Sequence, residues 1–275
     1  MSFCVNWLGA LLALAFASNA VAEQVGARWG TEQREREFYR VVSVPIPKGQ
    51  VIEAGAFELM PDNRMAIGTR RGDIYFMSGV DDEKPRPRFE KFAEGLDEIF
   101  GLAHRRGEKD ALYVTHSAEL TRVRDTNGDG RADRFETVSD AWGYRNYHEY
   151  AFGSKFDAQG NLYVALGLSA SYHSRALFRG WAMKITPEGK SIPIASGLRS
   201  PGGIGPNEHG ALFYIESQGP WNSSCSLKFL KPGGFMGHPV SFNWYPYAPD
   251  LKRPVAPESG TRIVTEKEKV KELVP

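Results

Sequence analysis

The sequence repeats itself with a period near 50 residues, and that period constrains the fold more than any other feature. Four apolar segments of one type, MAIGT from Met65, LYVTH from Leu112, LYVALG from Leu162 and LFYIE from Leu212, start 47, 50 and 50 residues apart. Three follow turns rich in Gly, Asp or Asn (Pro61-Asp62-Asn63, Asp157 to Asn161, Asn207 to Gly210), and Leu112 follows Arg106-Gly107-Glu108-Lys109-Asp110. Such residues supply positive φ and side-chain caps to tight turns. Further strand-like pairs come next: IYFM after Arg71-Gly72-Asp73, LTRVRD turning into RFETV, and WAMKI turning through Pro187-Glu188-Gly189 into SIPIA. No long stretch of helical period interrupts them.

A repeat of this length made of short strands is the mark of a β-propeller blade. The expected fold is all-β, with four blades over 50–90, 91–142, 143–196 and 197–240 in a propeller region 46–240. A polar lead-in at 23–45 precedes it, and 241–275 reads as a tail or the start of a further blade. The 29 glycines, 17 prolines and 12% aromatics suit many short strands better than a helical bundle. Blades of this length usually close in sixes, over roughly 300 residues of repeat. The expectation is therefore an incomplete or truncated propeller, or one completed by a partner chain, because an unclosed ring exposes strand edges.

The first 22 residues carry no charge, and the apolar run Trp7 to Ala17 ends before Ala20-Val21-Ala22, a small-x-small cleavage site. Residues 1–22 read as a signal peptide, with an exported, periplasmic or extracellular product. The run is too short to span a membrane, although no Lys or Arg precedes it and a buried N-terminal helix is the other reading. The cysteines are Cys4 and Cys225, so cleavage leaves one thiol and no intrachain disulfide. A net charge of +1 gives no reason to expect a nucleic-acid partner.

Propeller geometry predicts which residues meet. The innermost strand of each blade enters from one face, the top, and the loop between second and third strands returns there. Entry residues Glu53, Glu98, His148 and Arg199 should therefore ring an axial pocket with the loop starts Thr69, His116, Gly167 and Glu216. A histidine, an arginine and carboxylates at one mouth suit general-base chemistry on an alcohol or water. The plainer reading is that entry residues satisfy backbone groups around the channel. Trp142, Trp181, Trp221 and Trp244 are either a sugar-stacking platform or inter-blade core, with Trp221 the one placed for the mouth. His173 and Arg175 fall in a long loop that would reach the same face.

Three stretches carry a family resemblance. HEYAFGSKFDAQGNLYVALG from His148, GLRSPGGIG from Gly197, and Glu216-Ser-Gln-Gly-Pro220 with KPGGFMGHP from Lys231 resemble, in order, motifs of the quinoprotein glucose/sorbosone dehydrogenases. The resemblance covers Tyr147 to Pro239 and extends to exported bacterial propellers described as membrane-bound dehydrogenase-like. It implies a six-bladed soluble glucose dehydrogenase type of fold and oxidation of a sugar or other alcohol with pyrroloquinoline quinone (PQQ) and Ca²⁺. In that scheme the catalytic residues are His148, the base for hydride transfer to the quinone, and Arg199. Arg199, Ser200, Gln218 and Trp221 contact the cofactor, and the Gly219 and Pro220 carbonyls hold its Ca²⁺. Ser200 replaces the family's Asn, and Leu168 its usual Asp. A non-catalytic carbohydrate- or protein-binding propeller is the alternative, and a hydrolytic one lacks an evident central carboxylate set.

One motif is independent of the resemblance. Asp125, Asn127, Asp129, Arg131 (through its carbonyl), Asp133 and Glu136 follow the spacing of an EF-hand calcium loop, with Gly130 at the bend. The flanks read as strands, so the expectation is a structural Ca²⁺ loop between outer strands; a hairpin turn using Asn-Gly-Asp-Gly is the other reading.

Overall fold

Each repeat folds as an antiparallel meander in which the apolar segment recognised in the sequence is the second strand. The computed structural model describes residues 32–39, 41–80, 85–109, 111–146, 148–168, 174–218 and 224–254. Residues 1–45 with 81–85 form one unit, whose described part holds a single helical turn, Glu32–Glu35; residues 46–80 with 86–275 form the other.

The second unit is a propeller. Blade 1 runs β1 (Ala54–Leu59), β2 (Met65–Thr69), β3 (Ile74–Ser78) and β4 (Arg88–Ala93). Blade 2 runs β5 (Gly101–Ala103), β6 (Ala111–Thr115), β7 (Leu120–Arg124) and β8 (Arg134–Ser139). Blade 3 runs β9 (Ala151–Gly153), β10 (Leu162–Leu166), β11 (Trp181–Ile185) and β12 (Ser191–Ser196). Blade 4 has three strands among the described residues, β13 (Pro201–Pro206), β14 (Leu212–Glu216) and β15 (Ser226–Phe229). Strand order in every sheet follows the sequence.

Burial explains why the second strands stood out. β6 is buried at every position, whereas the outer β8 is mostly solvent-facing. A strand covered on both faces reads as a continuous apolar run. The turns before them share one chemistry. Asp157 Oδ1 accepts N–H bonds from Gln159 and Asn161 at 2.9 and 2.8 Å, and Asn207 Oδ1 accepts from His209 and Ala211 at 3.0 and 2.8 Å. Gly160 and Gly210 close these turns at φ of 80° and 78°.

Near the axis the inner strands approach too closely for side chains. A Cβ on Gly101 would lie 2.6 Å from Gly153 Cα, and one on Gly153 would lie 2.7 Å from Thr115 Cβ. This packing accounts for the repeated Phe-Gly pairs, Phe100-Gly101 and Phe152-Gly153. Further out, apolar side chains fill the spaces between blades: Ile74, Phe92, Ile99 and Leu112 in one cluster, Leu162, Val164, Trp181 and Ile185 in the next, Ala182, Leu198, Leu212 and Tyr214 in the third.

Two tryptophan readings resolve here. Trp142 and Trp181 are core and Trp244 packs against the same cluster, so none of them forms a sugar platform; Trp221 lies outside the described residues. The described part of 241–275 contains no strand. A 3₁₀ helix, Pro239–Tyr247, lies against blade 3, with Trp181 Nε1 donating to the Ser241 carbonyl at 2.9 Å. On blade 4, cross-strand neighbours Ile215 and Leu227 are both exposed, as is Phe229. No helix among the described residues is long and apolar enough to cross a membrane.

Candidate functional site

The loop entering blade 3 is fixed by two buried charges. Glu149, 1% exposed, accepts the Arg145 and Asn146 N–H groups on Oε2 at 2.7 and 3.2 Å and the Ser174 hydroxyl on Oε1 at 2.5 Å. Arg179, fully buried, donates to the carbonyls of Gly143 (2.7 Å), Tyr150 (2.9 Å) and Ser117 (2.7 Å). Burial lowers the Arg179 pKa to about 10, against the opposing pull of Glu149 and Tyr144. Between these anchors His148 is exposed, its N–H donating to Asn146 Oδ1 at 3.2 Å and its ring edge-on to Tyr150 at 6.3 Å.

A third buried charge shapes the entry to blade 4. Glu216 Oε1 accepts the N–H groups of Arg199 (3.2 Å) and Ser200 (2.7 Å), and Oε2 accepts the Tyr214 hydroxyl at 2.9 Å. Burial, then the Glu216 charge, pushes the Tyr214 pKa far up, so this phenol stays a donor. Leu168 N–H reaches the Arg199 carbonyl at 2.9 Å and Ser217 N–H the Ser200 carbonyl at 3.1 Å, joining the loops of blades 3 and 4.

Between these loops lies a cleft of about 700 Å³, lined by His148, Tyr150, Phe152, Gly167, Leu168, Ser200, Pro201, Gly202, Ile215, Glu216, Ser217 and Cys225. The predicted His148, Gly167, Ser200 and Glu216 thus come together. Arg199 and Gln218 brace the wall, the Arg199 Nη1 donating to the Gln218 carbonyl. Glu53 and Glu98 do not line this cleft; they pair with Arg71 and Arg70 at 2.9 and 2.8 Å. His116 is buried against Thr121, 2.9 Å from Nε2 to Oγ1. Gly219, Pro220, Trp221 and His173 lie outside the described residues. Tyr150 and Phe152 had a legible signal: they fall at two-residue spacing after His148 on the lead into β9, where alternate residues share a face. Cys225, whose thiol donates to Gln218 Oε1 at 2.9 Å, had no such signal.

PQQ carries three carboxylates, so its site must supply cations. Among the described lining residues only His148 can become positive, and Glu216 adds a buried carboxylate. The described lining does not fit a tricarboxylate quinone.

In the outer loop of blade 2 the acidic side chains of the calcium expectation are engaged by the loop's own backbone and by neighbouring arginines. Asp125 accepts the Gly128 and Gly130 N–H groups at 2.7 and 2.8 Å, Asn127 accepts that of Asp129 at 2.9 Å, and Asp129 that of Arg131 at 2.8 Å. Asp133 accepts the Thr126 N–H and hydroxyl. Glu136, which should close the cage, stands on β8 opposite Arg122 and sits 2.7 Å from Arg124 and 3.1 Å from Arg134. In an EF-hand that position starts a helix and turns back to the ion; here a strand carries it into a row of arginines. Among the described residues no group of three or more acidic, histidine or cysteine side chains is arranged to hold a metal.

A family model described as a domain of unknown function, DUF7133, matches residues 59–241. The chain belongs to the DUF7133 family. All of the cleft's described lining falls inside that match, so the site is part of the DUF7133 domain itself. No curated protein matches the chain. Among solved structures, a Thermus thermophilus protein designated a putative oxidoreductase (glucose dehydrogenase) superposes with a TM-score of 0.52 at 23% identity, covering 70% of this chain and 66% of that one. The PQQ-bound aldose sugar dehydrogenase of Streptomyces coelicolor gives 0.50 at 16% identity, covering 69% and 63%. The apo aldose sugar dehydrogenase of Escherichia coli gives 0.50 at 18%, covering 68% and 63%. The match spans less than two thirds of each of these relatives. The chain's fold is thereby that of the soluble quinoprotein sugar dehydrogenase propellers, with four blades among the described residues.

Proposed function

We propose that this chain is a sugar- or alcohol-binding propeller of the dehydrogenase type, in which His148 accepts the hydroxyl proton as the carbon bearing it is oxidised. The observation that carries this reading is the placement of His148. It is an exposed imidazole on a loop held by buried Glu149 and Arg179, opening on a cleft with Tyr150 and Phe152 beside it and two serines, Ser200 and Ser217, in the lining. An imidazole in reach of a bound hydroxyl is suited to act as general base. The carbon's hydrogen leaves with its electron pair, as hydride, to a two-electron acceptor of the quinone class, which the described lining does not hold and which must be supplied to the protein.

That same deficit of cations favours a second reading, carbohydrate binding without oxidation. The two separate in one experiment: titrate the purified protein with PQQ and Ca²⁺, then follow dye reduction with a panel of aldoses. Dye reduction lost in His148→Ala supports oxidation. Aldose binding without quinone binding leaves the binding reading, and absence of both removes the proposal. Export remains part of the proposal, on the uncharged first 22 residues, which lie outside the described region. The exposed apolar side chains Ile215, Leu227 and Phe229 of blade 4 support covering by further sheet, as a partner chain completing the ring would provide.

A further inference from the structure

A second cavity lies at the far end of the inner strands from the cleft. His148 precedes β9 and Lys155 follows it, so this strand runs from one site to the other. The cavity, about 610 Å³, opens between the end of β1, the turn after β5 and the turn after β9. Its volume is that of a small-molecule site, and the chemistry of the cleft makes no use of it. One side is apolar and open to solvent. Phe57 and Leu59, which share a face of β1, are 54% and 63% exposed. Phe156 adds an aromatic ring to the lining, held edge-on by Tyr113 with centres 4.9 Å apart.

The charged groups of the lining are unevenly engaged. Asp157 already accepts four donors: the Gln159 and Asn161 N–H groups, the Asn161 amide and the Tyr163 hydroxyl. Glu58 accepts the His104 N–H at 3.0 Å and the Lys155 ammonium. Lys155 donates also to the Phe57 and Leu102 carbonyls, at 2.5 and 2.9 Å, so all three of its protons hold the inner strands. Arg106 differs: it is exposed, it lines the cavity, and among the described residues its guanidinium makes no hydrogen bond or ion pair. The turn that carries it is set by the Glu108 N–H on the Arg105 carbonyl at 3.1 Å and by His104 Nε2 donating to the Glu108 carbonyl at 2.6 Å. A guanidinium fork with open donors beside an apolar wall suits a carboxylate carried on an apolar body.

We propose that this cavity is a second ligand site, taking a small carboxylic acid with an aromatic or branched aliphatic body. The carboxylate lies on Arg106 and the body on Phe57 and Leu59. The site stands whether or not the cleft binds a sugar or alcohol, because the two cavities share no lining residue.

Isothermal titration of the full chain with 2-naphthoate, and with 2-naphthalenemethanol as its neutral counterpart, tests it. The acid should bind about tenfold or more tighter than the alcohol, the worth of a hydrogen bond between charged groups. Arg106→Gln should erase that difference, and Leu59→Ser should weaken both compounds several-fold. Both side chains are exposed, so neither variant should move the unfolding temperature. His148→Ala should leave both affinities unchanged. No binding of the acid, equal binding of acid and alcohol, or loss of binding in His148→Ala overturns the site. So would sedimentation showing dimers that Leu59→Ser dissociates and naphthoate leaves intact, which would assign the apolar wall to a second copy of the chain.

Discussion

Arg179 in blade 3 donates from Nη2 to the carbonyl of Ser117 in blade 2 at 2.7 Å, while its other nitrogens hold Gly143 and Tyr150 on either side of His148. One guanidinium fastens two blades and the loop that presents the imidazole. Arg179→Met removes the donors but keeps much of the volume, leaving three carbonyls without this partner. The Ser117 carbonyl keeps the Trp142 Nε1–H at 3.1 Å and the Tyr150 carbonyl keeps the Gly167 N–H at 2.9 Å, so the Gly143 carbonyl is the acceptor that loses its donor and the loss should be about 1–3 kcal/mol in urea unfolding. A loss below about 1 kcal/mol would show that water substitutes for the guanidinium.

Gly153→Ala places a methyl 2.7 Å from Thr115 Cβ, a separation side-chain carbons do not tolerate. The expected destabilisation is about 1–3 kcal/mol, read from thermal unfolding. Because serine keeps both the Oγ and the Cβ that the methyl meets, Thr115→Ser should not relieve the clash, whereas Thr115→Gly in the same chain should recover part of the loss.

His116 makes stability depend on pH. Burial lowers its pKa, with the Glu119 and Asp97 carboxylates pulling the other way. The unfolded chain therefore takes up the proton first. Stability from this group is complete above about pH 6.5, the ordinary histidine value, and is lost as pH falls through the lower folded value. The slope should not exceed about 1.4 kcal/mol per pH unit. His116→Gln should flatten the profile between pH values near 7 and 5; an unchanged profile would assign the slope to carboxylates.

The outer loop of blade 2 should behave as a turn. Asp125→Ala removes the acceptor of two backbone N–H groups and should cost about 1 kcal/mol. Calcium at about 1 mM, enough for weak extracellular sites, should move the unfolding temperature of neither protein. A calcium shift in the parent that disappears in the variant would restore the cage.

Much of this architecture was legible because propeller strands announce themselves locally. The second strands are continuous apolar runs, their turns carry Asp or Asn with Gly, and the phase of the repeat brought His148, Gly167 and Glu216 to one mouth. What stayed hidden depends on tertiary contact. Nothing in Arg175-Ala-Leu-Phe-Arg179 indicates that the second arginine turns wholly inward, since its acceptors are carbonyls from segments 29 to 62 residues away. The calcium spacing records acidic positions and not the strand that carries Glu136 away from them. Arg70 and Glu98 were foreseen only halfway: the entry rule named Glu98, but its arginine partner comes from the neighbouring blade.

Cys225 has a practical consequence. The chain's only other cysteine is Cys4, and Cys225 is exposed and lines the cleft, its thiol resting on Gln218. The cleft is therefore chemically addressable in the unmodified protein. A small thiol-reactive fluorophore attached there would sit where a ligand displaces water, and would report filling of the cleft by any molecule, whether or not it is turned over.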